Sequence, residues 1–590
     1  MSPPLLEVAG LSFRYRRATE FALRDVSLVV EPGQVVLVAG PSGCGKSTLV
    51  KAINGLIPHA YTGEYSGEVR VEGRALVDMR LREIALRVGT VLQDPAKQIV
   101  GATVEAELAF GPENLGLPRD EIRERIRDVA QRASIEHLLG RETANLSGGE
   151  RQLVAAAGIL MMRPRLYVVD EPLANLDPAT ADGLLALLRR MADDGEAIVI
   201  VEHRVEDTLR LRPDAVLYLE DGATRFQGPV EGFLRIADPR RVKLPFDAVL
   251  AQALASRAVP SGSHVDGAVP VPGGPIPAAG QPGPGGSRPA ALGEATVAPA
   301  PASDRAPLDG ARPPRLEFRA VEAGYGERRV LRGVSAGLGA RETVAILGPN
   351  GSGKSTLFKT AMNLLKPTAG DVIVDGVSNR ERTVADLARV FGFVFQSPSQ
   401  MLFARTVREE LLFGPRNLGR DPSAFDRLAD ESLRRVGLLD LERVQERPPL
   451  TLSFGQHKRL SVAIALAIEP PTLVLDEPSA GQDHLTANAF MEEVRAIEGL
   501  ESLYMVTHDV DLAMLHADRI ILLRDGEIVG DGRPLDVATD TERWVGCNLR
   551  VTSLMEANRR WGDGRHFLDA QELARRVAEG TVAGGASGIG

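Results

Sequence analysis

The stretch Gly40-Pro-Ser-Gly-Cys-Gly-Lys-Ser-Thr48 follows an apolar run and precedes a predicted helix, and it returns as Gly348-Pro-Asn-Gly-Ser-Gly-Lys-Ser-Thr356. Glycines in such a loop let the backbone curl so that successive N–H groups point at phosphate oxygens, and the following helix adds its positive end. The lysine supplies a mobile cation for the outer phosphates, and the serine places a hydroxyl on a magnesium ion. Two matches in the same context predict two phosphate-binding loops in one chain.

Further motifs recur behind each loop, in the same order and at nearly the same spacing. They are a lone glutamine (Gln93, Gln396), the runs Leu146-Ser-Gly-Gly-Glu150 and Leu452-Ser-Phe-Gly-Gln456, the acidic pairs Asp170-Glu171 and Asp476-Glu477, and a histidine (His203, His508). A repeat this long, with chemistry at every step, indicates two copies of one nucleotide-handling domain. Duplicated halves of this kind can face each other and close over shared ligands.

Length and composition limit the class of protein. The chain has 590 residues, 44% of them apolar and 25% charged, which is ordinary for globular protein. Its apolar runs are of strand length, no secretory signal is visible, and two cysteines leave no disulfide framework. A net charge of −10 argues against a nucleic-acid-coating surface, and the small basic cluster Arg240, Arg241 and Lys243 is interpreted as solvated charge. These features predict a protein of a reducing, cytoplasmic compartment.

Composition divides the chain into two repeats, a linker and a tail. The repeats are assigned to residues 5–237 and 315–544. Residues 238–314, rich in Pro, Gly and Ala, are predicted to be mostly disordered, with a reach on the order of 40 Å. Residues 545–590 form a tail with a short helix. Alternating strands and helices, with a helix-rich insertion such as Arg119–Ala133, predict an α/β fold with a parallel-sheet core and a helical subdomain.

The acidic pairs follow apolar strands. Asp170 and Asp476 therefore lie at the carboxyl edge of the sheet, where a carboxylate can hold magnesium directly or through water. Glu171 and Glu477 come one residue later and are placed to orient or deprotonate the attacking water. For a lone acidic pair a helix N-cap would be the better interpretation, but both pairs here are in register with the loops.

His203 and His508 also follow apolar strands. A histidine there can hydrogen-bond the γ-phosphate and couple it to the glutamate. A lone histidine would more often be a satisfied core residue, but the position relative to the other motifs favours the phosphate.

The complete set resembles that of the ATP-binding-cassette ATPases, with Walker A loop, Q-loop, signature, Walker B, D-loop (Ala174–Asp177, Ala480–Asp483) and switch histidine. The resemblance implies two domains, each with a RecA-like parallel-sheet core, an antiparallel β subdomain and a helical signature subdomain. It also implies that the signature of one domain caps the nucleotide that the other holds. Two molecules of ATP, each with Mg²⁺, would then lie between the halves.

The resemblance assigns residues to the two composite sites by motif. Nucleotide contacts of the first site fall on Tyr15, Gly40, Pro41, Ser42, Gly43, Cys44, Gly45, Lys46, Ser47, Thr48 and Gln93, capped by Ser453, Phe454, Gly455 and Gln456. Those of the second site fall on Tyr325, Gly348, Pro349, Asn350, Gly351, Ser352, Gly353, Lys354, Ser355, Thr356 and Gln396, capped by Ser147, Gly148, Gly149 and Glu150. The magnesium ligands are Ser47, Gln93 and Asp170 in one site, and Ser355, Gln396 and Asp476 in the other. The catalytic residues are Glu171, His203, Glu477 and His508.

The sequence departs from the family pattern at two signature positions. Phe454 replaces the first signature glycine and is expected to crowd the site built on Lys46, and Glu150 replaces the usual glutamine in the other site. Because both catalytic glutamates remain, we predict two hydrolytic sites of unequal rate. Tyr15 and Tyr325 resemble the aromatic residue that stacks on adenine, and packing in the core stays open as their alternative role.

A narrower resemblance follows the Q-loop. The runs from Gln93 to Gly116 and from Thr406 to Leu418, with Glu202-His-Arg-Val-Glu206, are similar to the ATPases of energy-coupling-factor importers, which take up vitamins and transition-metal ions. In that group this stretch lines the groove that receives a helix of the membrane partner. The resemblance implies a peripheral protein on the cytoplasmic face of the membrane, with a transmembrane coupling protein and a small substrate-binding membrane protein as partners, and no nucleic acid.

Two other interpretations stay open. A fused ATPase of a sugar or peptide importer would differ only in its membrane partner. A soluble twin-cassette protein acting on ribosomes or DNA would carry a charged helical linker or cysteine clusters, whereas this linker is nearly uncharged and the chain has two cysteines.

Overall fold

A computed structural model describes residues 4–173, 176–258, 314–396, 398 and 401–581. Of the linker predicted at 238–314, residues 259–313 lie outside the described residues, as do Ala174 and Asn175 of the first D-loop, whereas Phe246–Ala258 forms a helix. In the part described, no helix combines the length and the apolar character that crossing a bilayer requires.

Within the described residues, each half contains ten strands. Those of the first half are β1 (Leu6–Tyr15), β2 (Leu23–Val30), β3 (Val35–Ala39), β4 (Gly63–Val71), β5 (Arg74–Ala75), β6 (Val88–Val91), β7 (Leu166–Asp170), β8 (Ala197–Val201), β9 (Ala215–Glu220) and β10 (Ala223–Gly228). Those of the second are β11 (Leu316–Tyr325), β12 (Arg328–Leu338), β13 (Thr343–Leu347), β14 (Ala369–Val374), β15 (Val377–Ser378), β16 (Phe391–Val394), β17 (Thr472–Asp476), β18 (Ser502–Thr507), β19 (Arg519–Arg524) and β20 (Glu527–Gly532).

The helices follow the same duplication. Those up to the linker are α1 (Lys46–Ile53), α2 (Leu56–His59), α3 (Leu81–Ala85), α4 (Val104–Asn114), α5 (Arg119–Arg132), α6 (Gly148–Leu160), α7 (Pro178–Asp193), α8 (Val205–Thr208), α9 (Val230–Ile236) and α10 (Phe246–Ala258). Those after it are α11 (Lys354–Ala361), α12 (Val384–Ala388), α13 (Val407–Asn417), α14 (Phe425–Arg435), α15 (Phe454–Leu466), α16 (His484–Arg495), α17 (Val510–His516), α18 (Pro534–Ala538), α19 (Thr541–Gly546), α20 (Ser553–Trp561) and α21 (Ala570–Glu579).

The two core sheets have the same strand order. It is β10-β9-β3-β8-β7-β6 in the first half and β20-β19-β13-β18-β17-β16 in the second, with every pair parallel except the outer hairpin. Strands such as β3 and β8 are buried along their whole length, because helices cover both faces of a parallel sheet. Antiparallel strands β1, β2, β4 and β5, and their counterparts β11, β12, β14 and β15, form the second layer. The predicted α/β fold is confirmed.

The C-terminal tail completes the core of the first half. It forms two helices, α20 and α21, where the sequence predicted one. Leu554, Ala557, Leu573 and Ala574 from these helices belong to the same buried cluster as Leu244 and Phe246 of the first half. Helix α21 packs along α10, because both present apolar side chains that neither could bury alone. Helices α20 and α21 therefore fold onto the first half of the chain.

Candidate nucleotide-binding sites

Strand β3 ends at Ala39 and α1 begins at Lys46, so the first glycine loop joins the edge of the sheet to a helix start. Gly45 stands at a φ of 104°, and a Cβ there would lie 2.4 Å from the carbonyl oxygen of Ala22. Gly353, at the matching place, has a φ of 107° and would meet Leu331 at 2.8 Å. Only glycine fits such a close approach at positive φ, and the curled backbone that results directs its N–H groups to one point.

The two loop lysines lie in the same buried position. Lys46 Nζ donates to the carbonyl oxygens of Gly40 and Pro41 at 2.7 and 2.8 Å. Lys354 Nζ donates to those of Gly348 and Pro349 at 2.7 and 3.0 Å. Each ammonium group is thus held by its own loop, where a phosphate oxygen can replace one of these weak partners.

A cavity of about 350 Å³ lies against the second loop. Most of the residues that the sequence assigned to this site line it, namely Tyr325, Asn350, Gly351, Gly353, Lys354, Ser355, Thr356, Gln396, Asp476, Glu477 and His508. The Tyr325 side chain is 49% exposed beside this cavity. In the first half the Tyr15 hydroxyl instead lies 3.2 Å from Thr48 Oγ1, so the two tyrosines differ in setting.

Asp170 and Asp476 are the last residues of β7 and β17, at the edge where the loops lie. Ser355 Oγ donates to Asp476 Oδ2 at 3.1 Å, and the buried Asp170 Oδ1 has no hydrogen-bond partner among the described residues. Burial, and then the neighbouring glutamate, raise the pKa of Asp170 to about 7 and that of Asp476 to about 6. A buried carboxylate suits a hard cation such as Mg²⁺, whether one of its oxygens is unsatisfied, as in Asp170, or lies beside a serine hydroxyl, as in Asp476.

Glu171 and Glu477 directly follow these aspartates in a left-handed backbone conformation, with φ of 45° and 51°. Such strain in a residue other than glycine is found at functional sites, where the surroundings hold it. Gln93 Nε2 donates to Glu171 Oε2 at 2.6 Å, which joins the Q-loop to the glutamate. The switch histidines are the other neighbours: His203 Nδ1 lies 3.8 Å from Glu171 Oε1, and His508 Nδ1 lies 2.9 Å from Glu477 Oε2.

The residue before each histidine makes the two sites differ. In the second half Thr507 Oγ1 donates to Glu477 Oε2 at 3.1 Å. In the first half the equivalent residue is Glu202, which is fully buried and accepts the Leu173 N–H at 2.9 Å. Burial lowers the pKa of His203, but the carboxylates of Glu171 and Glu202 raise it more, so the net shift is upward. Sequence reasoning gave Glu202 no role in the site, although an acidic residue beside the histidine was the available signal.

The signature serines begin helices, as the sequence indicated. Ser147 caps α6 and Ser453 caps α15, each paired with the third helical residue in a capping box. Glu150 Oε2 accepts the Ser147 N–H at 2.7 Å, and Gln456 Oε1 accepts the Ser453 N–H at 2.9 Å. Glu150 thus does the work of glutamine in the cap. The Phe454 side chain, predicted to crowd the first site, lies outside the described part.

The D-loops bring the halves together. Asp483 Oδ2 of the second half accepts the backbone N–H of Ser42, in the first glycine loop, at 2.8 Å. Its counterpart Asp177 lies close enough to Lys354 for its charge to act on the pKa of that ammonium group. Each loop therefore has an aspartate of the opposite half beside it. Ser147 and Ser453 make their hydrogen bonds within their own helix starts.

The raised pKa values of Asp170 and Asp476 predict a pH-dependent response to magnesium nucleotide. Because each folded-state pKa lies above the unfolded value of about 4, protonation stabilises the metal-free fold in acid, and this contribution is lost as pH rises through 6 to 7. A magnesium ion bound by these carboxylates would have to displace that proton. We expect the rise in Tm produced by Mg²⁺ and ADP to be larger at pH 8 than at pH 5.5. An equal rise at both pH values, or the same pH dependence in Asp170→Asn/Asp476→Asn, would contradict this.

Comparison with known proteins identifies the family. The pattern of the family described as ABC transporter matches residues 23–174 and 331–480. A Methanosarcina acetivorans protein named as an ABC transporter ATP-binding protein is 32% identical over 92% of this chain and 88% of its own length. One from Caldanaerobacter subterraneus is 32% identical over 96% of this chain and 97% of its own. The chain belongs to the ABC transporter family and is an ATP-binding subunit with two cassettes.

Among solved structures, the chain is similar to cbiO1 of Clostridium perfringens, described as part of the ABC transporter complex cbiONQ. The identity is 30%, the TM-score 0.36, and the match covers 41% of this chain and 96% of that one.

Proposed function

We propose that this protein is the ATP-hydrolysing subunit of a membrane importer of the energy-coupling-factor type, which takes up a vitamin or a transition-metal ion. ATP would bind at two composite sites between the cassettes. The sequence runs after the two Q-loops support the importer type, and the exposed apolar pairs described below carry the proposal that a membrane protein docks here.

Within each site the residues would divide the work by chemistry. The loop backbone and Lys46 or Lys354 bind the phosphates, and the aspartates would hold Mg²⁺, which neutralises charge on the transferring phosphoryl group. Glu171 and Glu477 accept the proton of the attacking water at their carboxylates. The D-loop contact from Asp483 to Ser42 supports closure of the cassettes over shared nucleotide, because it already ties one loop to the opposite half.

Exposed apolar pairs occupy equivalent places on the two cassettes. Val100 and Phe110 are 64% and 51% exposed in the first, and Phe403 and Phe413 are 66% and 50% exposed in the second. The rings of Phe403 and Phe413 meet edge to face, with their centroids 4.8 Å apart. Large apolar side chains exposed in pairs mark sites where an apolar partner docks. Two such sites suit two helices of a membrane protein.

In each exposed pair, the backbone of the first residue is held in place by a buried glutamate. Glu107 Oε2 accepts the N–H groups of Val100 and Gly101 at 2.8 and 2.7 Å. Glu410 Oε2 does the same for Phe403 and Ala404 at 3.0 and 2.7 Å. A carboxylate that satisfies two backbone donors gives the preceding loop one conformation. The loops that carry the exposed side chains of Val100 and Phe403 are therefore fixed by hydrogen bonds to the backbone.

The segment from Gln93 to Val100 connects the proposed docking surface to the catalytic glutamate. Gln93 begins the segment that leads to Val100, and its amide bonds the carboxylate of Glu171 at 2.6 Å. Hydrolysis would remove the phosphate contacts between the cassettes, and their separation would move the docked helices. The ATPase would thus supply motion, and the substrate would be chosen by another chain.

We expect Phe403→Ser/Phe413→Ser to lose the membrane partner while keeping ATP binding. The change removes two exposed aromatic side chains, and exposed anchors of this kind carry most of the energy of an interface. The measurement is the amount of membrane protein that co-purifies from detergent-solubilised membranes. Val377→Ser, which alters an exposed apolar residue on the antiparallel sheet, is the matched control. Unchanged co-purification in the double variant would argue against docking at this surface.

The identity of the co-purified proteins tests the importer type. A shared transmembrane protein together with a small substrate-binding membrane protein supports the energy-coupling-factor proposal. A pair of sugar or peptide permeases would support the second importer type, and ribosomal proteins without membrane proteins would overturn both.

A further inference from the structure

Each half sends one basic side chain across to the other half at equivalent places in the repeat. Lys243 lies three residues before α10, and Arg550 lies three residues before α20. The sequence placed Lys243 among solvated charges, but its side chain is only 16% exposed, and that of Arg550 only 13%. Both pair with carboxylates that follow the switch histidine of the opposite half.

Lys243 is bonded to both switch segments. Its Nζ lies 2.6 Å from Asp511 Oδ2 of α17, three residues after His508. Its backbone N–H donates to the carbonyl oxygen of His203 at 3.4 Å, and its own carbonyl oxygen accepts the Glu206 N–H at 3.0 Å. One residue therefore connects the segment behind the first histidine with the helix behind the second.

Arg550 makes the reverse connection. Its guanidinium pairs with Asp207 of α8, four residues after His203, and with Asp182 Oδ1 at 2.5 Å. Burial raises the pKa of Asp207, but Arg204, Lys243 and Arg550 lower it to about 2, so the carboxylate is charged. The pairs Lys243–Asp511 and Arg550–Asp207 form a crossed clasp between the halves.

The chain segments that carry Lys243 and Arg550 are also hydrogen-bonded to each other. Ser553 Oγ accepts the N–H of Phe246 at 2.8 Å, and the Ser553 N–H donates to Glu206 Oε1 at 3.0 Å. Thr552 Oγ1 donates to Asp511 Oδ1 at 2.5 Å, so that carboxylate is shared by Lys243 and by the segment that carries Arg550. The connection is continuous from one switch segment to the other.

We propose that Lys243 and Arg550 are positioning residues that couple the two ATP sites, because each ties its half to the helix behind the opposite switch histidine. The inference rests on the proposed hydrolysis at both sites. A buried ion pair that loses one partner leaves an uncompensated charge, so these pairs resist separation when a histidine moves with its nucleotide. A movement of α17 or α8 is then carried to the other half through packed, hydrogen-bonded groups.

The test compares single-site mutants in the intact chain and in a variant that lacks the Lys243–Asp511 pair. Glu477→Gln disables hydrolysis at the second site, and we expect it to reduce total phosphate release about 10-fold or more in the intact chain, because coupled sites affect each other roughly 5- to 150-fold. In Lys243→Met/Asp511→Asn, which removes both charges together, Glu171→Gln and Glu477→Gln should each remove only the share of one independent site, so that the two residual rates add up to the rate of the variant with both glutamates. The Hill coefficient for ATP should fall to about 1.

Three controls separate the possible causes. Lys243→Arg keeps the cation and should keep the coupling, and Arg240→Met changes a side chain that is 66% exposed and should alter nothing. If the double variant does not fold, Lys243→Gln replaces it, with the same expected results. Unchanged suppression by Glu477→Gln in the variant without the Lys243–Asp511 pair, or independent sites in the intact chain, would overturn the inference that Lys243 couples the two sites. An intact chain without ATPase activity would instead refute the proposed function.

Discussion

The Glu171→Gln/Glu477→Gln variant is expected to lose ATP hydrolysis by about 10²- to 10⁴-fold, the usual contribution of a general base. Both glutamates stand in strained left-handed backbone beside the aspartate that we propose holds Mg²⁺, and the amide that replaces them cannot accept a proton. Phosphate release at saturating ATP and Mg²⁺ measures the loss. Nucleotide binding should persist, because the loop lysines and serines are unchanged. Turnover within a few-fold of the unmodified protein would assign the base to another residue.

The single variants should lose unequal amounts. Glu171 accepts the Gln93 amide and lies 3.8 Å from its histidine, whereas Glu477 lies 2.9 Å from His508 and accepts the Thr507 hydroxyl. A general base with different hydrogen-bond partners has a different proton affinity. Equal losses in Glu171→Gln and Glu477→Gln would contradict two sites of unequal rate.

The second large effect is on stability, from a residue far from either site. Leu573→Asp puts a carboxylate where a fully buried leucine of α21 packs against the first half, and we expect a loss of about 4 kcal/mol or more in the unfolding free energy of that half. Hydrogen exchange resolved by peptide should show lost protection in α10, with β13 and β18 of the second half unchanged. Arg575→Ala, in the exposed face of the same helix, is the control.

Equal loss of protection in both halves would show that Leu573 does not act through the first half alone. The same packing affects experiments on fragments. An N-terminal fragment ending in the linker lacks Leu554 and Leu573, so its apolar surface would be open to water. Low turnover in such a fragment would follow from this defect as well as from a missing partner site, and full-length variants are the cleaner test.

The elements that bind phosphate could be predicted because their signals are local. A glycine loop between an apolar strand and a helix, or an aspartate at a strand end, carries its meaning within about ten residues. Strand β3 coincides with the continuous apolar run that predicts a strand before the first loop, and the signature serines cap helices through side chains three positions away. Composite sites across the halves came from the family resemblance and stay a proposal.

Other features could not be predicted, because they depend on contacts between distant segments. In the sequence Lys243 belongs to a small basic cluster that is typical of a surface, and only the fold shows that Asp511 lies opposite it. The tail has the periodicity of an amphipathic helix, but periodicity does not say which surface the helix covers. Glu202 and Thr507 occupy the same position directly before the switch histidine, and the effect of the different residue appears only with its partners in place.

The docking of α20 and α21 on α10 has a consequence for biosynthesis. The ribosome makes residues 5–258 long before the helices that cover them, so nascent first cassettes expose an apolar face for the whole time that the second is translated. Such surfaces invite misassembly while chains emerge at a few residues per second. The cassette that is synthesised first is therefore the last to have its apolar face covered. The binding of chaperones to nascent chains should increase with the time needed to finish translation.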